Sequence, residues 1–309
     1  MQHKEHAVRR SLFRQKSRIS QTYGFICIIP WLVGFLAFQL YPLIMSLIYS
    51  FTNYAIGREL KFVGFSNYVK MFTADKDYWN SVKVTFTYVL ISVPLKLSFS
   101  LMIAVILNMK IKCLSFFRTT YYLPSILGGS VGIAILWRTL FNRKGLVNSL
   151  LAHIGLGPID FLGSPKLALF TVSLLSVWQF GSSMVIFLSA LQQVPRSLTE
   201  AARIDGASKP RVFFSVTLPM ISPMIMFNLI MQTIMAFQQF NSPYLITGGG
   251  PLKSTYLYGL MMYQNAFNYQ KMGYACAQSW VLFIVIVALT AMVFKSSPYW
   301  IYYEDGGDF

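Results

Sequence analysis

The chain has 309 residues, of which 55% are hydrophobic and only 12% charged, with a formal net charge of +16. An average soluble domain carries about 25% charged residues, so a mean hydropathy of +0.53 asks for a solvent that accepts apolar surface over most of the chain, which is a bilayer. The 16% aromatic content excludes a disordered chain, and Cys27, Cys113 and Cys276, far apart and without metal-ligand spacing, read as small buried apolar residues rather than a disulfide framework.

Residues 1–22 form a basic tail, with Lys4, Arg9, Arg10, Arg14, Lys16 and Arg18 against the single acid Glu5. Beside a first span such a cluster is a topology signal rather than a nucleic-acid site, and it assigns the tail to the cytoplasm. Six stretches then reach the roughly 20 mostly apolar residues that a transmembrane helix needs: 23–51, 82–108, 121–141, 167–191, 220–245 and 275–294. The first is longer than a signal-peptide core and no small-residue cleavage site follows it, so it is expected to stay as an anchor. Proline falls inside several spans, as Pro30 and Pro42 in the first, Pro94 in the second and Pro223 in the fifth, and neighbouring helices must satisfy the carbonyls it frees.

The second span also carries Lys96. An ammonium at mid-depth costs about 2.5–3.5 kcal/mol on insertion scales, so it must face protein or water. An acidic group on a substrate and a structural role beside Pro94 both satisfy that demand. Lys110, Lys112 and Arg118 follow in the next connection without an acid, and Arg196, Arg203, Lys209 and Arg211 lie between spans four and five. Together with Lys295 they outweigh the nine basic residues scattered over the longer opposite loops, which predicts both termini in the cytoplasm and residues 295–309 as a short cytoplasmic tail.

Span four brings Ser176, Gln179, Phe180 and Ser183 at i, i+3, i+4 and i+7, one face of a continuous helix. Span five brings Asn228, Gln232, Met235 and Gln239 to one face in the same way. Such uncharged stripes either line a polar pathway or bond helix to helix. Trp178 and Trp280 read as packing residues or interfacial anchors.

The connection between those two spans is far longer than a turn requires. Pro195 stops the preceding helix, Ser197 or Thr199 can cap a new one, and Ser197 stands three residues before Glu200 in capping-box spacing. A two-turn helix over 197–204 is predicted, ending at Asp205-Gly206, where glycine takes the left-handed conformation. A second amphipathic stretch follows, with Val212, Phe213 and Val216 available to pack. Physical reasoning alone leaves two uses for this shape: an interfacial connector lying on the membrane, or a docking element for a partner.

Glu200-Ala201-Ala202, then Asp205-Gly206-Ala207, then Phe214 and Leu218-Pro219 resemble the EAA loop of ABC importer permeases at every one of those positions. Phe116-Phe117-Arg118, Leu123-Pro124, Trp137 and Phe141 resemble the second connection and third span of the carbohydrate-type permeases. Thr247 to Pro251 with Ser254-Thr255, Ala266-Phe267 and Met272 to Ala275 resemble their last external loop. The likeness covers about residues 60 to 290 and is nearest to the MalF-like permeases of multisugar and oligosaccharide importers.

The resemblance implies an all-α integral membrane protein. Its MetI-like bundle of six helices would span residues 23–294, with a cytoplasmic EAA coupling helix in 197–219. It implies a transport subunit of the bacterial cytoplasmic membrane, not an enzyme, that pairs with a second homologous permease, two ATPase subunits and an extracytoplasmic solute-binding protein to import a sugar. Glu200 would offer a carboxylate to a basic group on the ATPase. Ala201 and Ala202 would allow close approach, Gly206 would make the bend, and Asp205 would hold the turn by hydrogen bonds to local backbone. The helices that correspond to spans four and five line the sugar site in such permeases, which assigns Ser176, Gln179, Phe180, Ser183, Gln232, Met235 and Gln239 to the substrate pathway. No cofactor or metal is expected in this chain. ATP and Mg2+ would be bound by the partner ATPases, because no segment has the phosphate-loop form G-x-x-x-x-G-K-[ST] and the nearest, Gly248 to Ser254, lacks its second glycine.

Two other classes fit less well. An ion-coupled secondary transporter needs intramembrane carboxylates, and none of the ten acids lies inside a predicted span. An integral-membrane enzyme needs a catalytic set, and His3, His6 and His153 all lie outside the spans. The excess of basic residues over Glu59, Asp75, Asp77 and Asp160 in the external loops fits either an anionic sugar or a binding-protein surface.

Overall fold

The structure, a computed structural model, describes residues 27–109 and 113–302. The basic tail with its two histidines, Lys110, Lys112 and residues 303–309 of the predicted C-terminal tail lie outside the described residues. The six predicted stretches are present as three continuous helices and three bent pairs. Helix α1 is Cys27–Ser50, α2 Ser66–Thr73 and α3 Lys76–Asn108. The third span is α4, Leu114–Leu127, followed by α5, Val131–Leu140, at 97°. A short α6, Leu146–His153, precedes the fourth span. That span is α7, Pro165–Trp178, and α8, Gly181–Gln193, at 47°. Next come α9, Arg196–Ile204, and α10, Lys209–Met220, which meets α11, Ser222–Phe237, at 67°. Helices α12, Asn241–Ile246, and α13, Tyr258–Tyr263, cap the bundle before α14, Met272–Ser296.

Prolines shape two of these helices in the same way. A π segment, Leu36–Leu40, stands immediately before Tyr41-Pro42, and the Tyr41 N–H reaches back to the Leu36 carbonyl. A second π segment, Phe213–Thr217, stands before Leu218-Pro219, and the Leu218 N–H reaches the Phe213 carbonyl. The wide turn lets the chain absorb a residue that has no N–H to give. Pro94, by contrast, sits inside an unbroken α3.

Helix α3 is the central strut, packed against α7, α8, α11 and α13. It joins two apolar cores. One gathers Tyr88, Val93, Val172, Leu175, Phe237 and Leu260 in the half of the bundle capped by α2, α12 and α13. The other gathers Ala104, Leu107, Met184, Phe187, Leu188 and Ile221 at the end that carries α9 and α10. Leu97 packs against both. The chain returns to this second end, where the Tyr302 N–H donates to Ser222 Oγ at 2.9 Å.

At the opposite end, Asp75 caps α3 by accepting from the N–H groups of Asp77 and Tyr78. Asp77 also receives both contacts of the Lys253 ammonium at 2.6 Å. That pair is half exposed, so it fixes the loop more than it stabilises the fold. Burial holds the Tyr256 phenol well above its ordinary range, so it stays a neutral donor to Gln264 Oε1 at 3.0 Å. Trp280 donates to Ser46 Oγ at 3.1 Å and Trp178 lies 6.1 Å from the Trp137 ring, so both serve in packing. The cysteine expectation fails for two of three. Cys27 and Cys113 are exposed and only Cys276 is half-buried; Cys113 sits in the turn before α4 at φ +60°, outside any helix face.

The start of α14 is pressed onto the end of α1. The Gly273 N–H donates to the Tyr54 carbonyl at 2.9 Å. A Cβ on Gly273 would overlap the Thr52 carbonyl oxygen and come 3.0 Å from both the Tyr49 carbonyl and the Tyr54 nitrogen. All three are backbone atoms. Overpacking costs about 1–3 kcal/mol, so Gly273→Ala is expected to lower the midpoint of thermal unfolding of the purified protein by several degrees. An unchanged midpoint would show that the two helices separate freely.

Candidate coupling helix and translocation face

Helix α9 starts one residue earlier than predicted, and its cap differs. Pro195, with ψ 127°, turns the chain and Arg196 is already helical. Ser197 therefore lies within the first turn and makes no cap bond, and Thr199 Oγ1 donates to the Arg196 carbonyl at 2.9 Å instead. The C-terminus follows the expectation. Gly206 has φ +79°, its N–H donates to the Arg203 carbonyl, and the Ala207 N–H donates to the Ala202 carbonyl, both at 3.0 Å. These two bonds are a Schellman closure, which needs the left-handed residue that glycine supplies without strain. Backbone alone closes the turn. The Asp205 carboxylate, expected to hold it, is exposed and bonds no described residue.

None of the α9 side chains is buried. Glu200 and Ala201 are exposed, Ala202 is half-buried, and Ile204 is 85% exposed. The helix is anchored from behind, where Val212 on α10 is buried and Phe213 and Val216 are half-buried. Between α9, α10 and the ends of α3 and α8 lies a cavity of about 770 Å³, lined by Arg196, Glu200, Arg203 and Lys209 among others. The arrangement is a short helix with one carboxylate, exposed at Glu200 and Ala201 and backed by α10.

The residues of span four predicted to line a substrate pathway do not share one helix face, because the helix stops between Trp178 and Gly181. Ser176 ends up on α7, Gln179 and Phe180 in the break, and Ser183 on α8. The break is built by close approach. A Cβ on Gly181 would lie 2.5 Å from the Tyr121 carbonyl and 2.7 Å from Tyr122 Cα. Hydroxyls from two neighbouring helices replace the lost helical bonds. Ser125 Oγ donates to the Gln179 carbonyl at 3.2 Å and accepts from the Ser182 N–H at 3.1 Å. Ser100 Oγ lies 3.1 Å from the Phe180 carbonyl. Gln179 Nε2 donates to the Gly128 carbonyl at 2.9 Å, which ties this break to the one in span three. The Phe180 ring is buried against Phe99, at 4.8 Å edge to face.

In span five the helix ends at Phe237, so Gln239 falls beyond it and donates to Ser242 Oγ at 2.8 Å. Asn228 and Gln232 are buried, whereas Met235 is 55% exposed. Tyr88, 1% exposed, is buried in the same core as Val172 and Leu175 of α7 and Phe237 of α11. Tyr88 belongs to a row of which the sequence expectation held only Lys96. Ser81, Thr85, Tyr88, Ser92, Lys96 and Ser100 are all buried along one side of α3. Their spacing of three or four residues is the signal that would have found them.

Comparison with known proteins agrees with this geometry. Residues 71–302 match the model of the family described as binding-protein-dependent transport system inner membrane component. The chain is 50% identical over 284 residues to the probable ABC transporter permease protein YesP of Bacillus subtilis (strain 168), covering 91% of this chain and 92% of that one. It is 35% identical over 260 residues to the sulfoquinovosyl glycerol transport system permease protein SmoG of Agrobacterium fabrum (strain C58), covering 82% and 83%. The crystal structure of a bacterial alginate ABC transporter, in complex with a periplasmic protein bound to alginate pentasaccharide, superposes with a TM-score of 0.80 at 22% identity, over 91% of this chain and 96% of that one. The fold is that of an ABC importer permease, an all-α membrane bundle. The chain belongs to the binding-protein-dependent transport system inner membrane components, the permease subunits of such importers.

Proposed function

We infer that this chain is the permease subunit of an ATP-driven importer through which a carbohydrate, handed over by an extracytoplasmic solute-binding protein, crosses the membrane. Family membership supports the transport role, and ATP is hydrolysed by separate subunits in importers of this kind. The names of the relatives support the substrate class: one handles sulfoquinovosyl glycerol, and the fold neighbour handles alginate. The observation that carries the coupling role is α9. This nine-residue helix has no buried side chain, and its exposed Glu200 and Ala201 form a surface that a partner protein can cover.

In this reading the end carrying α9 and both termini face the cytoplasm, with residues 1–22 and 295–309 as tails and 23–294 as the permease domain. An ATPase subunit, one of two that bind ATP and Mg2+, grips Glu200, Ala201, Ala202 and the Asp205-Gly206 turn. Movement of α9 passes through α10 to the 67° corner with α11. Two further corners, at 97° and 47°, let segments reorient around the unbroken α3. Ser176, Ser183, Gln232 and Gln239 supply hydrogen bonds to the passing sugar. Gln179 and Phe180 hold the break in shape, and Met235 faces the second, homologous permease that completes the pathway.

Isolation of the tagged chain with its neighbours is expected to recover an ATPase and a second permease. The complex in vesicles should accumulate labelled sugar only when ATP and the binding protein are on opposite sides. Uptake by this chain alone under an ion gradient would overturn the reading.

A further inference from the structure

Lys96 is 8% exposed and lies midway along α3. It sits at the waist between the two apolar cores, one residue before Leu97, which touches both. The break in span four is at the same level, because Ser100 Oγ lies 2.6 Å from the Lys96 carbonyl and 3.1 Å from the Phe180 carbonyl. Among the described residues the ion pairs are Lys61 with Glu59 and Lys253 with Asp77, and the Lys96 ammonium has neither an ion pair nor a hydrogen bond. Among the described residues no acid is placed to provide one. The acids within 27–302 are Glu59, Asp75, Asp77, Asp160, Glu200 and Asp205, none of them within the part of a span that crosses the waist.

An intramembrane cation retained without a protein counter-charge marks a pathway for something that brings the charge with it. The surroundings agree. One turn from Lys96, Ser92 Oγ is buried without a partner, and so is Ser183 Oγ on the facing helix α8. Tyr88, Thr85 and Ser81, all buried, continue the same row along α3. Hydroxyls and amides recognise the neutral groups of a sugar, and a lone ammonium recognises an acid group on it.

We propose that Lys96 is a specificity-determining residue of the translocation pathway and that the transported carbohydrate is a sugar acid whose carboxylate meets the Lys96 ammonium. This rests on the carbohydrate-permease reading above and goes further by fixing the charge of the substrate. The charge is read at the waist of the bundle, after the binding protein has released its cargo.

The test uses the whole importer in vesicles with its binding protein. Two labelled sugars are compared, a uronate disaccharide and its carboxyl-reduced neutral counterpart. Because the same binding protein serves every variant, its own preference cancels when each variant is compared with the parent complex. Removing one partner of a desolvated charge pair is costly, so Lys96→Gln is expected to lower uronate uptake by about tenfold or more while changing neutral uptake by less than about twofold. Lys96→Arg, which keeps the charge, should stay within about threefold of the parent for both sugars. Equal losses for the two sugars in Lys96→Gln would assign Lys96 to structure, or to a counter-charge on the second permease, and overturn the proposal. So would undiminished uronate uptake, or a parent complex that imports only the neutral sugar. These last outcomes leave the carbohydrate reading intact. A parent complex with binding-protein-stimulated ATPase activity that accumulates neither sugar removes both.

Discussion

Replacing Glu200 by alanine in the assembled importer is expected to lower binding-protein-dependent uptake by about tenfold or more, the usual outcome when an anchor of a protein interface is truncated. Gly206→Val is expected to do the same by a different route. A Cβ on Gly206 would meet nothing within 4 Å, yet the residue sits at φ +79°, where a β-branched side chain is strained. The strain would open the Schellman bonds to Arg203 and Ala202 and swing α10 away from its place behind α9. Gly206→Asn separates the two causes, because asparagine tolerates the left-handed region. It should keep most of the uptake, although it adds as much bulk as valine. Membrane content should be equal in all three variants, since none of these side chains packs in the bundle. The checks are uptake and ATPase activity of purified complexes in the same vesicles. Normal uptake by both Glu200→Ala and Gly206→Val would remove α9 from the coupling path.

Much of the bundle was legible because a bilayer leaves few options. Any crossing must be long and apolar, so a hydropathy reading finds 82–108 or 275–294 without knowing the fold. The corners were not legible by that route. A window of about 20 residues averages over Gly128-Gly129 and over Gln179-Phe180-Gly181, and apolar composition is the same whether the helix continues or turns. The consequence fell on the pathway residues. A 3.6-residue period applied across the corner put Ser176 and Ser183 on one face, whereas each belongs to a different helix. The row on α3 escaped for another reason. Ser81, Thr85 and Ser92 scarcely lower the hydropathy of their neighbours, so only Lys96 stood out. The end of α9 was readable because Asp-Gly after an amphipathic turn is a local signal, closed by local bonds. Its start was not, because the position of Pro195 outweighed the Ser197–Glu200 spacing.

If the corner in span four is held by contact rather than by composition, Gly181 and Gly128 should fail differently. At Gly181 an added Cβ would face the Tyr121 carbonyl at 2.5 Å, Tyr122 Cα at 2.7 Å and Ser125 Oγ at 2.8 Å. Two of these are backbone, and the third bonds both sides of the break. At Gly128 the three atoms nearest to an added Cβ all belong to the Gln179 side chain, the one whose amide reaches the Gly128 carbonyl. Each alanine substitution is expected to cost about 1–3 kcal/mol by overpacking. Shortening Gln179 removes the obstacle in one case and not in the other. Gly128→Ala combined with Gln179→Ala should therefore be more stable than the sum of the single effects predicts, by roughly 1 kcal/mol of coupling. Gly181→Ala combined with Gln179→Ala should show no such recovery. Thermal unfolding of the purified complex measures all five forms, and equal recovery in the two double variants would mean that the corner yields as one soft unit instead of resting on the α4 backbone.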